Sequence, residues 1–179
     1  ERLKLLHWGI CFPKVFAGAN PGFDCMLGNP PWEKINLKDE EYFAHSHPEI
    51  AEAKTKAIRE NLIEKLKIAD PHAYNNYSSE QAYHDNLSNY FRSSGAFPWT
   101  GVSRINLYSL FAEISLKLLS GVGRLGLVIA SGIATDDNNK VLFESLIANK
   151  QLISILDFEN REGIFPAVHR MYKFCLFCA

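Results

Sequence analysis

The sequence predicts an α/β fold: half of a doubly wound parallel sheet, interrupted by a long helical insertion. Three observations carry this. Short apolar runs and helical patterns follow one another as strand, long excursion, helix, strand, helix, strand, strand. Between Glu33 and about Thr100 the texture turns polar, rich in His and Tyr, and helical. Hydrophobic residues make up 47% and charged residues 22% of 179 residues, a globular composition with enough apolar side chains for a sizeable core.

The elements can be justified in chain order. Phe23 to Gly28 (FDCMLG) is a short apolar run that ends at Asn29-Pro30-Pro31. Two prolines in a row stop a strand, because each lacks a backbone donor and has a fixed φ. Glu49 to Ala69 places Ile50, Ala53, Ala57, Ile58, Leu62, Leu66 and Ala69 near helical spacing, with Glu52 and Lys56 able to pair and Pro71 as the stop. Ser79 to Phe91 reads as a second helix capped by Ser78 or Ser79. Arg92 to Gly101 is loop-like. Ile105 to Leu119 is strongly amphipathic, with Leu107, Leu110, Phe111, Ile114 and Leu118 as its apolar stripe. Arg124–Ala130 reads as a strand, Asn138–Ala148 as a helix, and Leu152–Phe158 and Tyr172–Cys178 as two strands able to pair antiparallel. The expected organisation is a lead-in and first strand over 1–32, a mostly helical insertion over 33–104, and the rest of the sheet over 105–179.

Several function classes are disfavoured at once. The net charge is −1, whereas a stand-alone module that grips nucleic acid by its phosphates is clearly basic. No apolar run reaches the roughly 18 residues of a membrane span, and no signal-peptide pattern opens the chain. The chain starts at Glu1 without a Met and ends inside an apolar run at Ala179, so a segment of a longer protein is expected. Cys175 and Cys178 form a CxxC, but residues three apart on a strand point to opposite faces and cannot share one metal. His45, His47, His72 and His84 match no standard ligand spacing and are expected to be solvated or structural, so no metal is expected. Gly121, Gly123 and Gly126 spell GxGxxG. They follow a helix and open a strand, the reverse of a dinucleotide site, and are read as a helix cap and a turn.

The segment that carries chemistry is Gly28-Asn29-Pro30-Pro31-Trp32 at the carboxyl end of the first strand, where open α/β sheets place ligands. A strand followed by a Pro-Pro turn explains the prolines but not the amide and aromatic that bracket them. A planar aromatic amine is a poor nucleophile because its lone pair is delocalised. Two acceptors aimed at its N–H groups draw it towards a tetrahedral shape. The side-chain oxygen of Asn29 is one such acceptor and the stiffly held carbonyl of Pro30 the other. Trp32 offers a face for stacking.

Asn-Pro-Pro-aromatic after such a strand resembles motif IV of the amino-methyltransferases that use S-adenosylmethionine (SAM). Asn106 to Glu113 (NLYSLFAE) resembles motif V of the gamma-class N6-adenine DNA methyltransferases. Gly123 to Ala130 resembles motif VI, and Gly163-Ile164-Phe165-Pro166 motif VIII. His7-Trp8 through Phe12 to Gly18 is similar to the lead-in of the large type IIG restriction–modification and BREX-like phage-defence methylases. The resemblance implies the carboxyl-terminal half of a Rossmann-like methyltransferase sheet with an antiparallel last strand. It implies an adenine-specific DNA methyltransferase that uses SAM and acts on double-stranded DNA in the cytoplasm. By motif, Asn29, Pro30 and Pro31 belong to the catalytic turn, Trp32 and Phe165 contact the flipped base, and Phe111 and Gly28 lie near SAM, with core packing as the alternative for Phe111 and Phe165. The glycine-rich loop that anchors SAM has no match in the chain and is expected upstream of Glu1. This segment alone is therefore expected to be inactive, and its sheet edge invites self-association. The same tetrapeptide also occurs in methyltransferases of ribosomal RNA guanine and of release-factor glutamine. The long insertion disfavours both. A non-catalytic interaction segment of a defence complex is the remaining alternative.

Overall fold

The structure is a computed structural model that describes residues 6–102 and 104–179. It contains α1 (Trp8–Cys11), α2 (Pro13–Phe16), β1 (Phe23–Gly28), α3 (Asp39–Phe43), α4 (Pro48–Ala51), α5 (Lys56–Ala69), α6 (Pro71–Ser93), α7 (Leu107–Leu118), β2 (Leu119–Ala130), α8 (Gly132–Thr135), α9 (Lys140–Ala148), β3 (Ser154–Glu159) and β4 (Lys173–Cys178). The chain divides into two compact units. One joins the chain up to Lys34 with Ala96–Ala179, and the other is Ile35–Gly95.

The first unit holds a mixed four-stranded sheet in the order β1-β2-β4-β3. β1 runs parallel to β2, and β4 lies antiparallel between β2 and β3. The last two strands therefore pair antiparallel, with the later one placed inside the sheet. Side chains alternate across a strand, so one face carries Leu125, Leu127 and Ile129 of β2 with Cys175 and Phe177 of β4. These pack with Tyr108 and Ala112 of α7 and Leu142 and Leu146 of α9 into one buried cluster. Phe23 at the start of β1 is surrounded by the rings of Trp8, Phe12 and Phe16 at centroid distances of 5.5–5.8 Å.

β2 starts earlier than the sequence predicts. The stretch from Leu119 is already strand, and Gly121 and Gly123 lie inside it rather than forming a helix cap and turn. The pairing with β1 jumps from Phe23↔Leu119 to Cys25↔Arg124, an irregularity that needs close backbone contact. A Cβ on Gly123 would sit 2.5 Å from the Phe23 carbonyl oxygen, so only glycine fits. Along α7 Leu110 and Leu118 of the expected stripe are buried, but the covered arc extends to Tyr108, Ser109, Ala112, Glu113 and Ser115, while Phe111 is 44% exposed.

The second unit packs Phe43, Ile50, Ile63, Leu66 and Tyr77 into its own core. The expected helix over Glu49–Ala69 is two helices. The Arg59 guanidinium donates to the carbonyls of Ile50 and Ala53 at 3.2 Å, satisfying the end of α4. The Thr55 side chain then accepts from the Ile58 N–H at 3.3 Å and restarts the chain as α5. Glu52 and Lys56 fall on opposite sides of this break, and Lys56 instead faces Glu60 at 3.6 Å. Pro71 both follows one helix and opens the next: α6 begins there, capped by Asp70, which accepts from Ala73 N–H at 3.0 Å. Ser79 is not a cap. Its hydroxyl donates to the Asn75 carbonyl at 2.8 Å inside α6.

Candidate active site

β1 delivers Asn29 to the carboxyl end of the parallel pair, and the Pro-Pro turn follows. Asn29, Pro30 and Gly28 line a cavity of about 270 Å³ with Phe111, Trp8, Ile114 and Leu118. The exposed ring of Phe111 thus lies on the same cavity as the amide of Asn29. Two residues placed in catalysis by motif, Asn29 and Pro30, and two placed near SAM, Gly28 and Phe111, share this space, whereas Pro31 is exposed at the turn and does not line it.

Trp32 faces elsewhere. Its indole N–H donates to the Val128 carbonyl at 3.1 Å, which ties the turn to β2. Its ring lies nearly parallel to Tyr172 and Phe174 at 5.7 and 5.9 Å, and edge-on to Phe165 at 5.0 Å. The structure therefore brings Trp32 and Phe165 together, as two rings of one aromatic cluster. Trp32 also borders a second cavity of about 620 Å³, whose polar lining includes Asn106, Tyr108, Ser131, Asp136 and Asp157. The Asn29–Trp32 turn contributes to both cavities.

The polar wall of the second cavity is internally satisfied. The Tyr108 hydroxyl accepts from the Asn139 amide at 3.2 Å and lies 3.5 Å from the Asp136 carboxylate, to which it donates. Asn139 is buried, accepting from Ser109 at 2.6 Å and donating to the Gly132 carbonyl at 2.7 Å. Burial pushes the Tyr108 hydroxyl up to about 12. The Asn139 hydrogen bond opposes that rise and the charge of Asp136 adds to it. Tyr108 is thus a proton-bearing donor at neutral pH. The Ser131 hydroxyl donates to Asp157 across the ends of β2 and β3.

Three structurally important residues escape the sequence reading. Asn139 follows Asp136-Asp137-Asn138, which reads only as a helix start. Asn160 lies in the charged stretch Glu159-Asn160-Arg161-Glu162, whose sequence signals no role, yet it is fully buried. Glu113 ends the NLYSLFAE segment and is also fully buried. Its carboxylate accepts from the backbone and side chain of Thr100 at 2.8 and 2.6 Å and meets Lys117 at 2.6 Å. No helix among the described residues is long and apolar enough to cross a membrane. No cluster of three or more His, Cys, Asp or Glu suited to a metal occurs among them.

Comparison with known proteins adds the family. No curated protein matches the chain. Residues 77–165 match the family model described as Eco57I restriction-modification methylase. That span begins within α6, takes in α7, β2, α9 and β3, and ends on Phe165. It lies downstream of Asn29–Trp32. The mixed α/β sheet is compatible with a methyltransferase fold. Residues 77–165 are thus similar to the domain of the Eco57I restriction-modification methylases, a likeness that supports a methyltransferase of restriction–modification.

Proposed function

We propose that the full-length protein transfers the methyl group of SAM to the N6 amine of an adenine flipped out of double-stranded DNA, in restriction–modification or phage defence. One observation carries the reading. Asn29 and Pro30 stand at the carboxyl end of β1 on a cavity shared with Phe111, while Trp32, two residues on from Pro30, meets Phe165 and borders a second cavity that carries polar groups on its wall. The first cavity suits SAM: its lining is mostly apolar, with an exposed aromatic ring. When bound, SAM supplies an electrophilic methyl group. The second cavity has the room and the polar groups for a nucleobase.

The work of the chain is positioning. The Asn29 side-chain oxygen and the Pro30 carbonyl accept the two N–H groups of the amine. They raise its nucleophilicity and stabilise the positive charge that develops on nitrogen. Trp32 and Phe165 hold a base that has left the stack, as the duplex otherwise hides the amine.

The test is Asn29→Ala in the full-length protein. Removing one preorganised partner of a developing charge costs about 2.7–4 kcal/mol, or roughly 10²–10³ in rate. Methylation of DNA by tritiated SAM should fall by that factor, with SAM affinity by calorimetry nearly unchanged. Near-normal turnover by the variant would remove Asn29 from the mechanism. Methyl transfer to RNA or protein but not DNA would replace the substrate.

A further inference from the structure

The loop between β3 and β4 carries Phe165, and its conformation is held by one side chain. Asn160 is 0% exposed. Its side-chain oxygen accepts from the Phe165 N–H at 3.0 Å, and its amide nitrogen donates to the carbonyls of Phe165 and Val168 at 3.0 and 2.9 Å. Both peptide groups of Phe165 are therefore bound by the same amide. The Asn160 backbone N–H donates to the Tyr172 carbonyl at 3.0 Å, so the clasp is tied to the lead-in of β4. Gly163 at φ 69 lets the chain turn between the clasp and the ring it positions. The outcome is a Phe165 ring edge-on to Trp32 at 5.0 Å and to Phe174 at 5.1 Å.

The residue type matters. Asparagine presents a donor and an acceptor at one distance from the backbone. Aspartate at neutral pH accepts only, and would face the Phe165 and Val168 carbonyls with no proton to offer. Glutamine is one carbon longer in a site with no free surface.

We propose that Asn160 is a positioning residue for base capture: it fixes Phe165 against Trp32, so that the aromatic pair stands ready for the flipped adenine. This rests on the reading above that Trp32 and Phe165 receive the base. Asn160 lines neither cavity. Its loss should therefore appear in DNA capture and not in SAM binding.

The experiment uses full-length protein and a DNA duplex with 2-aminopurine at the target position, whose fluorescence rises when the base leaves the stack. Asn160→Asp, Phe165→Ala and the double variant are compared. We expect Asn160→Asp to lower the fluorescence response to the level of Phe165→Ala and to raise the KM for DNA by roughly 5–150-fold, the range of one base–aromatic stack. SAM affinity should stay within twofold. The double variant should be no worse than Phe165→Ala alone, because both act through one ring. Gly163→Ala gives a second route that leaves the core closed. Its Cβ meets nothing within 4 Å, but the left-handed backbone resists a side chain, so the same loop loosens. It should lower the response in the same direction, and it decides the matter if Asn160→Asp does not fold. A normal response in folded Asn160→Asp or in Gly163→Ala, or effects of Asn160→Asp and Phe165→Ala that multiply, would overturn the proposal while the function stands. A wild-type protein that binds SAM but gives no 2-aminopurine response would overturn base capture itself, and the role of Asn160 with it.

Discussion

Replacing Trp32 by alanine removes a packed ring and a hydrogen bond together. The indole is bound to the Val128 carbonyl and packed among Phe165, Tyr172 and Phe174, so Trp32→Ala should cost about 3 kcal/mol of stability. Trp32→Phe keeps a single ring and loses the hydrogen bond with part of the packing, so it should cost less, about 1–2 kcal/mol. Urea unfolding of the two variants checks this order. Equal stability would show that the ring contributes nothing to packing. The consequence for function is practical: Trp32→Phe is the variant in which a change in base capture can be read apart from folding. At this scale the sequence was legible where a residue did not suit its local role. Asn29 and Trp32 bracket two prolines that alone would make a turn. Asn160 and Asn139 were not legible, because a buried amide that binds a distant backbone has the same local sequence as a surface cap.

Caps decide the helices of the second unit. Thr55 accepts from Ile58 N–H at 3.3 Å and Asp70 from Ala73 N–H at 3.0 Å. Thr55→Ala and Asp70→Ala should each cost about 1 kcal/mol, the ordinary worth of an N-cap side chain. Chemical denaturation followed by circular dichroism measures it, and a loss below a few tenths would show that α5 and α6 begin elsewhere. The strands were legible from their apolar runs: Phe23–Gly28 has the boundaries the sequence predicts, and β3 and β4 fall within two residues of theirs. The helix breaks were not. Periodicity runs through Glu49–Ala69 without interruption, and what divides it is Arg59 reaching back to two carbonyls, a contact made only once the chain has turned. Phe111 failed as a stripe residue for a related reason. Periodicity gives the angle of a side chain about the helix axis, whereas the packing partner decides which arc is covered.

The residues that flank the second unit in sequence are fastened to one another within the first unit. Lys34 forms an antiparallel bridge with Asn106, and the Leu107 N–H donates to the Glu33 carbonyl at 2.9 Å. On the other side the Lys117 ammonium donates to the Ala96 carbonyl at 2.6 Å, while Glu113 holds Thr100. Asn106 and Lys117 stand at opposite ends of α7, eleven residues apart, or about 16 Å at 1.5 Å per residue. A flexible Gly/Ser linker of ten residues has an r.m.s. span of about 17 Å, so it can join Lys34 to Ala96 without pulling either fastening open. The core of the first unit contains no residue from Ile35–Gly95. We therefore expect the chain with Ile35–Gly95 replaced by such a linker to keep its sheet. The linker must leave Ala96–Thr100 in place, since removing that stretch would strip the fully buried Glu113 of its Thr100 hydrogen bonds and leave it Lys117 alone, and a hydrogen bond to a charged group is worth about 1.5–3 kcal/mol. Amide hydrogen exchange in β2 and β4 reads the result. Protection retained there shows that the first unit is a folding unit in its own right. Loss of protection, with the Glu113–Thr100 clasp intact in sequence, would show that the two units fold as one.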